Sequence, residues 1–261
     1  MSSGVRLHAM TCGWLTAGRG AFLPDAGDGG EASAPLAVPV PAYLIVHPKG
    51  LALFDTGMHV ATQSDPAGRL RGLAKVFEVA FAPGEEVSRR LETLEVDVSR
   101  IDYLVNSHLH FDHAGGNEQV PNARWVVQQR EWEAARDEGT ARKNGFMSQD
   151  YDHGHDRLLV DGEHDLFGDG SVVCLPTYGH TPGHQSLRVA LDAGPVILTA
   201  DACYFRQTLE RLLLPPVVHD REEMLASLHR LRAWRDAGAR LFFGHDPEQW
   251  KGVPQAPAEV V

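Results

Sequence analysis

Asn106-Ser107-His108-Leu109-His110-Phe111-Asp112-His113-Ala114-Gly115-Gly116 is the stretch on which the reading of this chain turns. His108, His110, Asp112 and His113 can all bind a metal, and they stand within six residues. The apolar run before them, residues 101–106, reads as a buried strand, so the motif starts at a strand's C-terminal end. In an extended segment alternate side chains point the same way, so His108 and His110 can converge on one ion. Asp112 and His113 lie past a bend and can serve a second. Imidazole and carboxylate are the ligand set of zinc and related first-row metals. A lone histidine is usually an ordinary polar residue; four ligand types at this spacing are not.

A two-ion site needs further ligands, and three downstream segments offer them. Tyr178-Gly179-His180-Thr181-Pro182-Gly183-His184 is rich in Gly and Pro, so backbone can fold closely around an ion. Asp201 ends the apolar run 196–200, where a buried carboxylate needs a partner such as a metal. His245 follows the apolar residues 241–243. Each ligand falls at the end of an expected strand.

Strands and helices alternate around these points. Residues 38–46 are apolar, and Pro39 and Pro41 suggest an edge strand or an irregular start. A turn at His47-Pro48-Lys49-Gly50 leads to a strand over 51–54 that ends in Asp55-Thr56-Gly57. Helices are expected over 69–81 and 84–94, and through Trp132 and Ala135 after a strand at 124–127. Further strands are expected at 171–175, 185–190, 196–200 and 241–243. A helix over 222–234 carries an apolar stripe of Leu225, Leu228 and Leu231. Residues 25–33 read as a loop. The pattern is that of an α/β protein with mixed sheets covered by helices, in one domain over 1–261 whose first 37 residues form an N-terminal segment.

With 261 residues, 43% hydrophobic and 23% charged, the chain has the composition of a folded globular protein, not a disordered one. Its net charge of −11 argues against nucleic acid or an anionic membrane as partner. Three cysteines (Cys12, Cys174, Cys203) with no Cys-x-x-Cys pair argue against a disulfide framework or a zinc ribbon and point to a reducing, cytoplasmic setting. No secretory leader pattern and no apolar run of about 18 residues stand out. A Gly-x-Ser-x-Gly elbow and a Walker-type loop are both missing, which disfavours serine hydrolases and P-loop enzymes.

His-x-His-x-Asp-His, then Gly-His, then a strand-end Asp, then Gly-His resembles the metallo-β-lactamase superfamily. The finer texture of residues 107–117, 179–187, 201–204 and 242–249 is similar to that of the N-acyl-homoserine lactonases, and the resemblance spans roughly residues 40–252. It implies a four-layer αβ/βα sandwich of two mixed β-sheets flanked by helices, with two zinc ions at one edge. One ion would be held by His108, His110 and His180, the other by Asp112, His113 and His245, with Asp201 and a hydroxide bridging them. That hydroxide would open the lactone ring of an N-acyl-homoserine lactone, quenching a quorum signal. Tyr204 would face the substrate carbonyl, and Asp112 would carry a proton to the leaving oxygen. The alternative within the fold is another small lactone, an ester or a phosphotriester. The partner expected is thus a small lactone, with a homodimer left open.

Other residues carry smaller expectations. Asp55 is expected to orient a metal-bound histidine, and His184 to be a hydrogen-bonded structural histidine. Phe111 lines the substrate pocket or simply packs. Cys203 reads as a small buried hydrophobe. A second His-x-His, His153-Gly154-His155, lacks the following Asp-His and reads as a loop. Fourteen histidines are in the chain, and the proposed centre uses five of them.

Overall fold

The apolar alternation of the first fifty residues produces two strands of 13 residues each, β1 (Arg6–Gly18) and β2 (Pro35–His47), paired antiparallel. The computed structural model describes residues 4–23 and 30–261. A tight turn joins β2 to β3 (Gly50–Phe54). β4 (Glu78–Ala80), β5 (Tyr103–Val105), β6 (Arg124–Gln128) and β7 (Arg157–Val160) complete a seven-stranded sheet in the order β4-β1-β2-β3-β5-β6-β7. The second sheet runs β12-β11-β10-β9-β8, from β8 (His164–Asp165), β9 (Val172–Pro176), β10 (Gln185–Leu191), β11 (Gly194–Ala200) and β12 (Arg240–Phe243). Both sheets are mixed: β3, β5, β6 and β7 run parallel, as do β11 and β12.

Three apolar clusters define the layers. Leu7, Ile45, Phe54, Val126, Leu187 and Leu198 pack between the two sheets. Leu44, Leu53, Leu91, Leu104 and Trp125 lie in a second cluster with the helical segments outside the first sheet. Ile197 and Leu241 of the second sheet meet Met224, Leu228 and Leu231 of the helix Arg221–Asp236. The order is helix, sheet, sheet, helix: the expected four-layer sandwich. Asp220 caps that last helix by accepting from the backbone N–H of Glu222 and Glu223. Its buried stripe is Met224, Leu228 and Leu231, at i, i+4 and i+7, each side chain contributing roughly 1.5–3 kcal/mol by burial. The expected stripe through Leu225 is corrected: Leu225 is exposed, because at 3.6 residues per turn position 224 lines up with 228 and 231.

Three other expectations change. The helix over 69–81 does not form. A short helix Pro66–Leu70 and a 3₁₀ turn Arg71–Lys75 lead into β4, which pairs with Trp14, Leu15 and Thr16 of β1. β-branched Val76 and Val79 favour that outcome, and the free edge of β1 offers the partner. Of the two expectations for Pro39 and Pro41 the edge strand fails and the irregular start holds: the strand is internal. The prolines are tolerated because β3 pairs only with Tyr43–His47 and because β1 bulges between Thr11 and Trp14, opposite them. The loop over 25–33 lies outside the described residues up to 29; residues Gly30–Ser33 form a helical turn. Among the described residues no helix is long and apolar enough to cross a membrane.

Candidate metal centre

Five strand ends deliver the site. β5 runs into Ser107 and His108, and the short helix Phe111–Ala114 begins directly after His110, turning Asp112 and His113 back toward the first two histidines. β9 leads to the loop of His180, β11 ends at Ala200 before Asp201, and β12 ends two residues before His245. β3 ends before Asp55. Asp55 (φ 58°) and Ala200 (φ 44°) are both left-handed without being glycine. Such a backbone costs of order 1–3 kcal/mol each, and here it stands at the two strand ends that aim carboxylates at the site.

The side chains form two groups whose ligand atoms lie within 4.8 Å of one another: His108, His110, His180 and Asp201, and then Asp112, His113 and His245. His110 Nδ1 lies 2.9 Å from His108 Nε2 and 3.1 Å from His180 Nε2. Asp201 stands between the groups. Its Oδ2 is 3.3 Å from His180 Nε2 and 3.7 Å from His108 Nε2, while its Oδ1 is 3.1 Å from Nε2 of both His113 and His245. Asp112 Oδ2 sits 3.7 Å and 3.8 Å from the same two nitrogens.

The outward nitrogens decide which tautomers these rings hold. His113 Nδ1 donates to Asp55 Oδ2 at 2.9 Å, and His245 Nδ1 donates to the Pro39 carbonyl at 2.8 Å. His110 Nε2 donates to the Asn144 carbonyl at 2.7 Å. Their protons are therefore spent outward, and lone pairs face inward. His113 Nε2 and Asp201 Oδ1 are buried and make no directed hydrogen bond. Lone pairs facing a carboxylate at 3.1 Å are unfavourable unless a cation or a proton lies between them. The donor set therefore fits divalent metal.

The charge balance says the same. Burial opposes charge on every ring and holds His108 and His180 well below the usual histidine range. At His113 and His245 the carboxylates, Asp201 foremost, outweigh burial and raise the pKa.

The remaining expectations fall as follows. Asp55 is buried and accepts from the Ser107 backbone N–H at 2.7 Å and from the Ser107 hydroxyl at 2.8 Å, as well as from His113. His184 is fully buried, its Nδ1 3.0 Å from the Thr177 hydroxyl, and burial brings its pKa down to about 3. Tyr204 is half-buried, its ring centroid 5.3 Å from that of His245 and 5.8 Å from that of His180. Burial first, then the carboxylates of Asp201 and Asp112, hold its phenol well above the usual range, so it keeps its proton. Phe111 is buried, with its ring centroid 5.9 Å from Phe77, and Phe77 reaches Phe22 at 6.1 Å. Cys203 is buried, with burial pushing its thiol up. His153 and His155 belong to neither ligand group.

Several supporting groups have no counterpart in the sequence reading. Asn106 donates to the His113 carbonyl at 3.0 Å and accepts from Trp125 Nε1 at 2.7 Å and Asn117 Nδ2 at 2.8 Å. Thr56 donates to Asn117 Oδ1 at 2.9 Å, and a Cβ on Gly116 would stand 2.5 Å from the Thr56 carbonyl. Asn106 and Asn117 flank the motif and are legible as polar residues in an apolar setting. The carbonyls of Pro39 and Asn144 carry no side-chain signal at all.

The metallo-beta-lactamase superfamily model matches residues 35–245. An N-acyl homoserine lactonase AttM of Azorhizobium caulinodans is 34% identical over 227 residues, 84% of this chain and 86% of that one. An N-acyl homoserine lactonase AttM of Rhizobium radiobacter is 31% identical over 260 residues, 97% of each chain. The structure of an N-acyl homoserine lactone hydrolase with the product N-hexanoyl-L-homoserine bound at its catalytic metal centre superposes with a TM-score of 0.86 at 28% identity, covering all of both chains. Fold, clustered ligands and similarity along the whole length agree, and the chain belongs to the metallo-β-lactamase superfamily, in its N-acyl homoserine lactonase family.

Proposed function

We propose that this chain is a metal-dependent hydrolase that opens the lactone ring of N-acyl-homoserine lactones, using two zinc ions. The observation that carries the reading is Asp201: one carboxylate presents one oxygen to each of two ligand groups, in a chain 34% identical to a protein named N-acyl homoserine lactonase. His108, His110 and His180 would hold one ion, Asp112, His113 and His245 the other, and Asp201 both. When bound, such ions supply Lewis acidity and bring the pKa of water near neutrality.

The chain's own groups do the rest. Tyr204, kept protonated by its surroundings, donates to the oxyanion that develops when the carbonyl becomes tetrahedral. Asp112 takes the proton of the attacking water and gives it to the ring oxygen as the C–O bond breaks. The product is a ring-opened hydroxy acid. Phe22, Phe77, Phe111 and Tyr204, linked ring to ring, form an apolar wall beside the centre that suits an acyl chain. The acidic surface is compatible with a neutral substrate held by metal and apolar contact.

Proton release by the zinc-loaded protein tests this, measured on acyl-homoserine lactones of several chain lengths, γ-butyrolactone, and a phosphotriester. Turnover of the acyl-homoserine lactones is expected to exceed the others. Activity on the phosphotriester alone would overturn the assignment.

A further inference from the structure

Glu131 is fully buried, and among the described residues no cation forms an ion pair with it. It sits in the first turn of the helix Gln129–Arg136, immediately after β6. The neighbouring Arg130 is turned outward, 3.0 Å from Glu223 and stacked on Tyr178. The two carboxylate oxygens of Glu131 go to two different loops. Oε1 accepts from the backbone N–H of Leu109 at 3.1 Å, and Oε2 from that of Gly183 at 2.7 Å. Leu109 stands between His108 and His110; Gly183 lies in the loop that carries His180. The same loop rests directly on the helix, since a Cβ on Gly183 would fall 2.3 Å from the Glu131 backbone nitrogen.

Burying an unpaired carboxylate is unfavourable, and burial pushes this one up to about 7. An apolar side chain would pack there at less cost. What it could not do is accept from two loops at once. Other outer partners each fix a single ring: Asp55 for His113, the Pro39 carbonyl for His245 and the Asn144 carbonyl for His110. For the first group, Glu131 ties the two loops from the far side of Gln185, whose backbone N–H donates to the Ser107 carbonyl at 2.8 Å.

We infer that Glu131 is a positioning residue, clamping the Leu109 and Gly183 loops so that His108, His110 and His180 converge on one ion. The inference rests on the metal-centre reading above. In Glu131→Gln the amide keeps the shape but sets an NH2 group against one of the two backbone donors, releasing one loop. Zinc affinity is measured by competition with a chelator, cobalt coordination by its visible absorption, and kcat and KM on an acyl-homoserine lactone.

The expected result is a fold that survives, zinc affinity reduced roughly 10–100-fold at one ion, an altered cobalt spectrum, and a fall in kcat larger than the change in KM. Parent-like zinc affinity and cobalt spectrum in E131Q, whatever its melting temperature, would overturn the inference. Should E131Q fail to fold, Glu131→Asp keeps both acceptors but is one methylene short. It is expected to fold with weakened zinc affinity, and parent affinity in E131D would equally overturn the clamp. A parent protein that binds no zinc would instead sink the metal-centre reading itself.

Discussion

Two His-x-His segments, His108-Leu109-His110 and His153-Gly154-His155, share a pattern and end in opposite states. In the first, the ring centroids are 4.5 Å apart, both rings reach toward His180, and a helix begins directly after them and brings Asp112 and His113 round. In the second, the centroids are 6.3 Å apart, His153 is exposed, and His155 Nε2 donates to the Val120 carbonyl at 3.0 Å. Spacing is therefore necessary and not sufficient. The productive pair follows a buried strand, has a following turn with more ligands, and has outward acceptors that take the protons off the inner side. The other pair follows the 3₁₀ turn Ser148–Asp150 instead of a strand, has Gly154 at φ 80° between its rings, and spends the His155 Nε2 on backbone.

Breaking the first pair has the largest expected effect. His108→Ala is expected to lose metal from its group and more than about 10³-fold in kcat/KM, because hydroxide supply at neutral pH goes with the ion. His153→Ala should leave metal content and turnover at parent values. Elemental analysis and steady-state rates on both variants decide it, and metal loss in His153→Ala would erase the contrast.

Tyr204→Phe comes next. Removing one donor to an oxyanion costs about 100-fold in kcat, with little change in KM and none in metal content. A variant with parent kcat would leave the phenol a packing residue.

Asp55→Asn sharpens the comparison at the level of outer partners. Asn tolerates the left-handed backbone of position 55, so the substitution isolates the hydrogen bonds. An amide cannot accept from both Ser107 and His113 as the carboxylate does, and zinc affinity is expected to fall roughly 10-fold, read by chelator competition.

The smallest effect belongs to the second pair. Burial lowers the His155 pKa, outweighing the backbone hydrogen bonds at Val120 and Asn117 that favour its charged form. As pH falls through about 6.5, the unfolded chain takes up a proton that the folded chain refuses, so the native state loses stability. His155→Phe removes that contribution. The stability difference between parent and variant should shift in the variant's favour below pH 6.5 in urea titrations, with zinc binding unchanged. A pH-independent difference would count against the buried neutral ring.

Legibility in the sequence followed sequence distance. The ligand types of residues 108–113 are local, and the strand before them is an unbroken apolar run, so both could be read directly. The helix Arg221–Asp236 was legible from its period, with the stripe off by one at Leu225. The segment 69–81 was misread because local propensity is weak where a partner edge is close; β1 recruited Glu78–Ala80 as a strand. Pro39 and Pro41 looked like edge residues because a bulge in β1 leaves no local trace.

By itself, the order of the residues determined which side chains could bind metal, that each follows an apolar run, and that the balance of charge is acidic. Those are properties of types and spacings, and periodicity suffices to see them. Only the tertiary structure decided that Asp201 gives one oxygen to each ligand group, that Pro39 and Asn144 supply carbonyls to His245 and His110, and that Glu131 ties two loops together. Backbone carbonyls have no residue type to reveal them, and a buried carboxylate's partners lie on strands and loops far along the chain.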